Sequence, residues 1–275
     1  MTNNQKLIKN IAIGFAIVVA ISIVGGIISM IGFFVNIGSG RGAEKADYVY
    51  EITEEVTSIS IDHEIGTLSI QTGDRFLVEA ESVGKDFKCQ VSNGTLVISE
   101  NGKNSFFSIG FNSKGLKTKI TITIPEDFSA NKVNINAGAG NINITNLTTE
   151  YLKINGGAGN IKANDIWANK VELDNGVGNM NFINVVLNDV DLDGGVGNVN
   201  ITGIMTGKND IDAGVGNIDI SLEGKIDDYN LSVSPGLGRV SVNGTKQGEI
   251  KNSSSGAEHS IKVDGGVGNI DIDIY

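Results

Sequence analysis

Three aspartates, Asp174, Asp193 and Asp212, follow one another at intervals of 19 residues, and each lies two residues before a glycine turn. Stacked copies of this segment would place the three carboxylates one above another, where like charges repel unless solvent, salt or a cation screens them. Carboxylate and carbonyl oxygens are the ligands that Ca²⁺ prefers. The aspartates are therefore a candidate weak Ca²⁺ site, and no other cofactor is expected.

Two observations argue against specific chemistry at these aspartates. The turn at 194–197 resembles the Ca²⁺-binding RTX repeat, but that repeat has an aspartate two residues after the last glycine, where this chain has Val199. Polysaccharide-active enzymes need an acid and a base or arginine together. Arg239 and Lys262 are the only basic residues near a turn aspartate in the C-terminal copies, and the spacing predicts no acid–base pair within one cleft. We therefore expect no catalytic residues and predict that the chain is not an enzyme.

The aspartates belong to a repeat that occurs seven times. Its first four steps are each 19 residues, and the next two are 22 and 30. A repeat this short cannot bury its own apolar face, so the copies must stack. Apolar and polar residues alternate on both sides of the turn, as in strands with one buried face. The copies begin at Val133, Leu152, Val171, Val190, Asn209, Leu231 and Ile261.

Like positions carry like residues in successive copies, which predicts apolar ladders that point into a shared core. The third, tenth and twelfth positions show this pattern, and stacked rungs would lie about 4.8 Å apart. The expected fold class is all-β, a single-stranded β-helix (β-solenoid) with rungs of about 19 residues. The third position is Ile135, Ile154, Leu173, Leu192, Ile211, Val233 and Val263.

Each turn has the pattern Gly-x-Gly-Asn, and we interpret its glycines as structural, because a tight corner excludes a Cβ. Asparagine follows in six copies and can hydrogen-bond to the same residue one rung away, whereas Arg239 replaces it in the sixth copy. The residue between the glycines is apolar from Ala139 to Val267, and we expect it to face the core. The turn glycines are Gly138, Gly140, Gly157, Gly159, Gly176, Gly178, Gly195, Gly197, Gly214, Gly216, Gly236, Gly238, Gly266 and Gly268.

The sequence divides into five segments. Residues 11–37 carry no charged side chain and, as a helix, span roughly 40 Å, which exceeds the ~30 Å hydrocarbon core of a bilayer. This run is longer than a signal-peptide core, so we predict an uncleaved transmembrane helix. Residues 1–10 would be a short cytoplasmic N-terminus and 38–58 a linker. Residues 59–124 would form irregular solenoid rungs and 125–275 the regular ones.

Composition limits the partners. The net charge of −11 argues against nucleic acid and is compatible with cationic ligands. The expected partners are the lipid bilayer, through residues 11–37, and envelope or cationic-peptide ligands. Small residues spaced by four, such as Ala12 and Ala16, could allow self-association of the membrane helix. Candidate contact loops are the insertion Gly244–Ser260 and the loop Phe106–Phe111.

Three further side chains have an expected environment. Trp167 falls beside an inward ladder and is expected in the core. His63 and His259 have no second histidine or cysteine nearby in sequence, so each is expected to be a surface residue and not a metal ligand.

The strand Ile120–Pro125, followed by serial Gly-x-Gly-Asn-Ile segments, resembles the putative-adhesin family of bacterial β-strand-repeat proteins, whose function is unknown. The resemblance covers about residues 45–275. It implies a single-stranded β-helix and brings no established catalytic residues. Some members, the LiaX-type proteins of Gram-positive bacteria, are linked to cell-envelope stress and antimicrobial-peptide sensing. In place of their additional N-terminal helical region, this chain has the predicted membrane helix.

Together these features predict a single-pass membrane protein whose C-terminal domain lies outside the cytoplasm. Its expected function is that of a non-enzymatic cell-envelope or surface binding module, an adhesin or an envelope-stress component. The domain would present a rigid, acidic β-solenoid and bind by multivalent contact along one face. The alternatives are a membrane-tethered polysaccharide-active β-helix enzyme and a passive structural spacer.

Overall fold

Strands form almost all the regular structure of the computed structural model, which describes residues 45–100, 118–254 and 256–275. Within those ranges no helix is long and apolar enough to cross a bilayer. The predicted transmembrane helix, 11–37, and the loop Phe106–Phe111 lie outside the described residues.

A 3₁₀ turn occupies Ile226–Asp228. The strands are β1 Lys45–Glu51, β2 Ser58–Gly73, β3 Leu77–Gly84, β4 Phe87–Ser92, β5 Thr95–Glu100, β6 Lys119–Pro125, β7 Ser129–Ala130, β8 Lys132–Ala158, β9 Ile161–Val177, β10 Met180–Asn188, β11 Val190–Val196, β12 Val199–Thr206, β13 Lys208–Val215, β14 Ile218–Leu222, β15 Tyr229–Ser234, β16 Val240–Val242, β17 Thr245–Gln247, β18 His259–Val267 and β19 Ile270–Ile274.

The regular copies stack in register as parallel strands. Leu192 lies beside Leu173 on one side and Ile211 on the other, so equivalent positions of successive copies face each other. All seven third-position residues are at most 3% exposed. The predicted all-β, solenoid-like repeat is therefore confirmed, with apolar ladders as its core.

Each full rung contains a third strand segment that the sequence analysis did not assign. A second corner follows the second strand, where Asn146, Asp165 and Asn184 adopt left-handed backbone with φ of 55°, 57° and 54°. Beyond this corner, Leu147 pairs beside Ile166 in the next rung, and both are buried. Asparagine and aspartate tolerate this backbone conformation better than other residues with a Cβ.

The last two copies are not stacked in sequence order. Strand β18 pairs with β13 on one side and with β15 on the other, so the seventh copy lies between the fifth and the sixth. The insertion Gly244–Ser260 provides the length for this crossing. It also covers the terminal rung, because β17 pairs antiparallel with β16 and Ile250 bridges Val233. The steps of 22 and 30 residues mark this reversal in the sequence.

The opposite end of the stack is closed by antiparallel strands. Strands β5 and β6 form a rung beside β2, and β4 and β3 pair with them antiparallel. Strand β1 then pairs with β3, so β structure begins at Lys45, inside the range 38–58 assigned to a linker. Tyr48 and Tyr50 on β1 pack against Phe87, with ring centroids 5.9 and 6.1 Å apart. Both terminal rungs thus have covered edges, which limits edge-to-edge pairing.

The glycine turns form a continuous row along one edge of the stack. Gly178 and Gly197 have φ of 142° and 151°, and a Cβ on Gly197 would overlap the carbonyl oxygen of Gly178. The same contact recurs in order between the carbonyls and α-carbons of Gly66, Gly140, Gly159, Gly178, Gly197, Gly216, Gly268 and Gly238. Glycine is required in this row by space and, at every member except Gly238, also by backbone conformation.

The residue between the two glycines does not face the core, so that expectation was wrong. Val177 is 37% exposed and Val215 is 36% exposed. The space behind the corner is filled by the tenth-position side chain, since the Cδ1 atoms of Ile161 and Ile270 lie against Gly156 and Gly265. The apolar residue is exposed or half-buried in every turn and buried in none, so it lies at the surface and not in the core.

Two further expectations about individual side chains were also wrong. Trp167 is 41% exposed, because period-two alternation in the third strand segment turns it outward between buried Ile166 and Ala168. His63 is 3% exposed and its Nδ1 lies 2.9 Å from Glu100 Oε2. Glu100 also accepts the backbone N–H of Glu64, which holds this corner to the neighbouring rung.

Replacing Gly197 by alanine should destabilise the fold strongly, by on the order of 3 kcal/mol or more, because the new Cβ meets backbone and the φ is unfavourable. Gly248→Ala is the matched control, since nothing lies within 4 Å of a Cβ built there. Urea unfolding followed by circular dichroism measures both. Equal, small effects of the two substitutions would contradict the corner geometry.

An asparagine ladder runs beside the glycine row. The backbone N–H of Asn179, Asn198 and Asn217 each donates to the side-chain Oδ1 of the asparagine one rung before, at 3.0, 2.9 and 2.9 Å. Arg239 closes the ladder by donating its N–H to Asn269 at 3.3 Å. The rung of Arg239 is the last in the stack, so no further N–H needs an acceptor there. This placement explains why arginine replaces asparagine in that copy.

Asn198→Ala should cost about 1 kcal/mol, since it removes the acceptor for the N–H of Asn217. Arg239→Ala should change the free energy of unfolding by less than about 0.5 kcal/mol, as expected for a surface site without such a contact. Denaturation midpoints of the two variants test this difference. If Arg239→Ala lowered the free energy of unfolding as much as Asn198→Ala does, the asparagine ladder would not end at Arg239.

Candidate binding surface

Seven carboxylates gather on the outward side of the first strand of the rungs. Alternation buries the first and third positions of each copy and turns the second and fourth outward. Strands β9, β11, β13 and β18 supply these positions in neighbouring rungs. We call this surface the acidic face; it consists of Glu172, Asp174, Asp191, Asp193, Asp210, Asp212 and Asp264.

The fourth-position aspartates form the acidic column within this face. Asp193 pairs beside Asp174 and Asp212, and Asp212 also pairs beside Asp264. The structure thus brings together the three candidate aspartates of the sequence analysis and adds Asp264. Asp264 joins them because the seventh copy lies beside the fifth, which the order of the sequence does not indicate.

Lysines neutralise only the borders of the acidic face. Glu172 is bridged by Lys153 and Lys170 at 3.0 and 2.9 Å. Lys262 Nζ lies 2.8 Å from both Asp210 and Asp264. Among residues 45–100, 118–254 and 256–275, no ion pair is formed by Asp174, Asp191, Asp193 or Asp212.

Asp210, Asp212 and Asp264 place one carboxylate oxygen each within 4.8 Å of one another, a spacing compatible with a shared cation. The ammonium of Lys262 already contacts two of these carboxylates, Asp210 and Asp264, so a side chain of the protein itself partly neutralises the cluster. Burial raises the pKa of Asp212; Lys262 opposes this rise, and Asp210, Asp264 and Asp193 add to it. Ionisation of Asp212 is thus resisted by its surroundings.

The acidic face ends at an aromatic and basic cluster. Hydrogen bonding to the Tyr151 hydroxyl, with further bonds from Lys170 and Lys153, lowers the pKa of Glu172 to about 2. The ammonium groups of Lys132 and Lys170 lie 4.8 and 5.3 Å from the centre of the Tyr151 ring, within cation–π range. This cluster holds Glu172 ionised and neutralises the acidic face at that border.

A shallow groove of about 410 Å³ lies beside the acidic column. Its lining includes the fourth-position aspartates, such as Asp193 and Asp212, and the first turn glycines, such as Gly195 and Gly214. An open groove lined by carboxylates can bind extended, positively charged groups over several rungs.

The second-position acids were missed by the sequence analysis. Asp191 and Asp210 precede the fourth position by two residues and therefore share its outward direction. Period-two alternation was a sufficient signal for them. The bridging position of Lys262 beside Asp210 had no such signal, because it depends on the crossing of the seventh copy.

Stacked parallel rungs with glycine corners and an outward acidic face define an all-β, solenoid-like repeat protein. The chain belongs to the Toastrack family DUF4097, whose family model matches residues 56–273. The predicted resemblance to bacterial β-strand-repeat proteins of the adhesin type is confirmed at this level.

Solved structures similar to this chain come from several bacteria. A "putative cell adhesion protein" from Clostridium sporogenes is 18% identical, with 84% of this chain and 100% of that chain covered and a TM-score of 0.41. A "putative adhesin" from Bacteroides fragilis is 18% identical, with coverages of 85% and 99% and a TM-score of 0.43. A "putative lipid binding protein" from Parabacteroides distasonis is 16% identical, with coverages of 84% and 98% and a TM-score of 0.36. A comparison with curated proteins gave no match.

Asp212→Asn and Glu172→Gln should change stability in opposite directions. The raised pKa of Asp212 means that its ionisation opposes folding, so Asp212→Asn should raise Tm at pH 7. This increase in Tm should vanish near pH 3, where Asp212 is protonated in both the folded and the unfolded protein. Glu172 has a pKa lowered to about 2 in the folded protein. Its ionised carboxylate therefore stabilises the fold fully above about pH 4.3, the pKa of glutamate in an unfolded chain, and this stabilisation is lost as pH falls toward 2.

Glu172→Gln should accordingly lower Tm at pH 7, with a smaller loss near pH 2. Melting curves from pH 2 to pH 8 measure both variants against the unaltered protein. A change of the same sign in both variants at pH 7 would contradict the assigned electrostatics.

Proposed function

We propose that the chain is a membrane-anchored, non-enzymatic binding module of the cell envelope, which uses the acidic face to hold cationic ligands. The single observation that carries this proposal is the in-register acidic column, in which Asp174, Asp193 and Asp212 have no ion-pair partner among the described residues. A ligand with several positive charges would relieve their mutual repulsion at each rung.

Multivalent contact follows from the repeat. Each rung adds a carboxylate in the same direction, so a ligand with charges spaced along its length gains one contact per rung. Once the first contact forms, the others are effectively intramolecular, which increases avidity without a deep pocket. Cationic peptides and cationic groups of the envelope are the ligand chemistry that fits, and nucleic acid is not.

The proposed anchor is the apolar segment 11–37, with the C-terminal domain outside the cytoplasm. This proposal rests on the length and lack of charge of the segment. Protease treatment of intact cells tests the orientation: the β domain should be cleaved in whole cells, whereas protection until lysis would place it inside.

The non-enzymatic assignment is tested by incubating the full-length protein with cell-wall glycans. Turnover that disappears in Asp193→Asn or Asp212→Asn would favour the polysaccharide-active alternative. Ca²⁺ is proposed to have no specific site, since Lys262 already serves Asp210 and Asp264. A rise in Tm in Ca²⁺ relative to EDTA that Asp212→Asn abolishes would overturn this.

The double variant Asp193→Asn with Asp212→Asn should weaken binding of the full-length protein to a polylysine peptide roughly tenfold or more, since two charge contacts are lost. Asp219→Asn with Asp271→Asn is the matched control, because it removes the same charge from a paired site on the second strand. Isothermal titration at low and high salt measures both. An equal loss of affinity for polylysine in the two double variants would show that net charge alone, and not the acidic face, binds the peptide.

A further inference from the structure

An apolar ridge runs along the glycine corner and has no cover among the described residues. Its members are the residues that directly precede the second turn glycine, in rungs from Ile65 to Leu237. Val177 and Val215 are more than one-third exposed, and the flanking glycines have no side chains to shield them. In stacking order the apolar ridge is Ile65, Ala139, Ala158, Val177, Val196, Val215, Val267 and Leu237.

The regularity of the apolar ridge indicates that it has a partner. Isolated exposed apolar side chains are normal on protein surfaces, but a line of exposed and half-buried apolar side chains with no buried member usually marks an interaction site. The corner fold itself does not require an apolar residue, because the side chain points away from the core. At about 4.8 Å per rung, the eight members form a line about 34 Å long.

The two flanks of the apolar ridge differ in chemistry. One flank is the acidic column, which includes Asp174, Asp193 and Asp212. The other is the asparagine ladder, where the Oδ1 of Asn179 and Asn198 accepts an N–H from the next rung. Their Nδ2 groups have no acceptor in the described parts of the chain, so this flank presents hydrogen-bond donors.

We propose that the apolar ridge is the contact between two copies of this chain, arranged in parallel about a two-fold axis that runs along the stack. Such an axis places each rung opposite the same rung of the second copy and faces the acidic column of one copy with the asparagine ladder of the other. Asp174 then lies opposite Asn179 of the second copy, and Asp193 opposite Asn198. Carboxylate acceptors meet free amide donors at the edges of the contact, while the valines meet each other. The second-position acids Asp191 and Asp210 lie two residues farther from the corner and stay open to the ligands of the proposed function.

The antiparallel alternative is disfavoured by charge. A two-fold axis across the stack would bring the acidic column of each copy against the acidic column of the other. Like charges placed opposite one another without intervening cations cost free energy at every rung. Only the parallel arrangement separates the two acidic columns, and it also leaves Lys45, where β1 begins, at the same end of the stack in both copies.

The contact area sets the expected strength. A strip about 34 Å long and about 10 Å wide buries on the order of 700 Å² in total, less than the roughly 1,200 Å² of stable complexes. Dimerisation is therefore weak in dilute solution and depends on a high local concentration. The membrane anchoring in the proposed function would supply that concentration, and this is the one step that rests on it.

Cysteine cross-linking of the full-length protein in membranes tests the arrangement. In a Cys89→Ala background, Val177→Cys, Val196→Cys and Val215→Cys each provide a single thiol on the apolar ridge. A parallel two-fold axis brings every one of them beside its own counterpart, so all three should form disulfide-linked dimers roughly tenfold faster than a thiol elsewhere on the surface. Thr148→Cys, exposed on the third strand segment, is that control.

The possible results separate the occupants of the apolar ridge. Cross-linking at only one of the three positions would show an antiparallel pair. Rates at all three positions equal to the rate of Thr148→Cys would show that no parallel pair forms, and either result overturns the proposal. Replacing Val177, Val196 and Val215 together by threonine keeps the β-branched shape and should reduce dimer formation measured by chemical cross-linking. Unchanged dimer formation in that variant would show that the apolar ridge does not hold the two copies together, and the proposal fails.

Discussion

Close backbone contact at the glycine corner governs the rest of this structure. At each rung a glycine carbonyl of one copy lies where the Cβ of the next copy would be, as between Gly178 and Gly197. This contact is only possible when equivalent residues of successive rungs face each other. In-register stacking, the asparagine ladder and the buried apolar ladders all follow from that alignment.

The same in-register alignment destabilises the outer surface wherever it stacks side chains of like charge. A column of identical residues is favourable when they are apolar or amides, and unfavourable when they are ionised. The acidic column illustrates the cost, because burial and the neighbouring carboxylates raise the pKa of Asp212. Lys262, Lys153 and Lys170 neutralise only the borders. The remaining charge is retained on a surface where the fold gains nothing from it, which is why we assign it to binding.

Much of the fold could be predicted from the sequence, because period-two alternation and the Gly-x-Gly-Asn turn are local signals. The apolar ladders and the adjacency of Asp174, Asp193 and Asp212 follow from them. The position of the seventh copy did not, since a chain crossing is set by long-range pairing of β18 with β13. The outward direction of the turn valines was missed because it depends on how Ile161 and Ile270 fill the corner.

The order of the rungs is the claim on which the corner row, the end of the asparagine ladder and the place of Asp264 all depend. In a Cys89→Ala background, oxidation of the double variant Asp210→Cys with Lys262→Cys measures it directly, because these residues are neighbours in adjacent strands. Rapid disulfide formation is expected in that variant and none in Asp210→Cys with Ser232→Cys, where Ser232 lies beyond Lys262. Disulfide formation in the second variant and not in the first would contradict this order of the rungs.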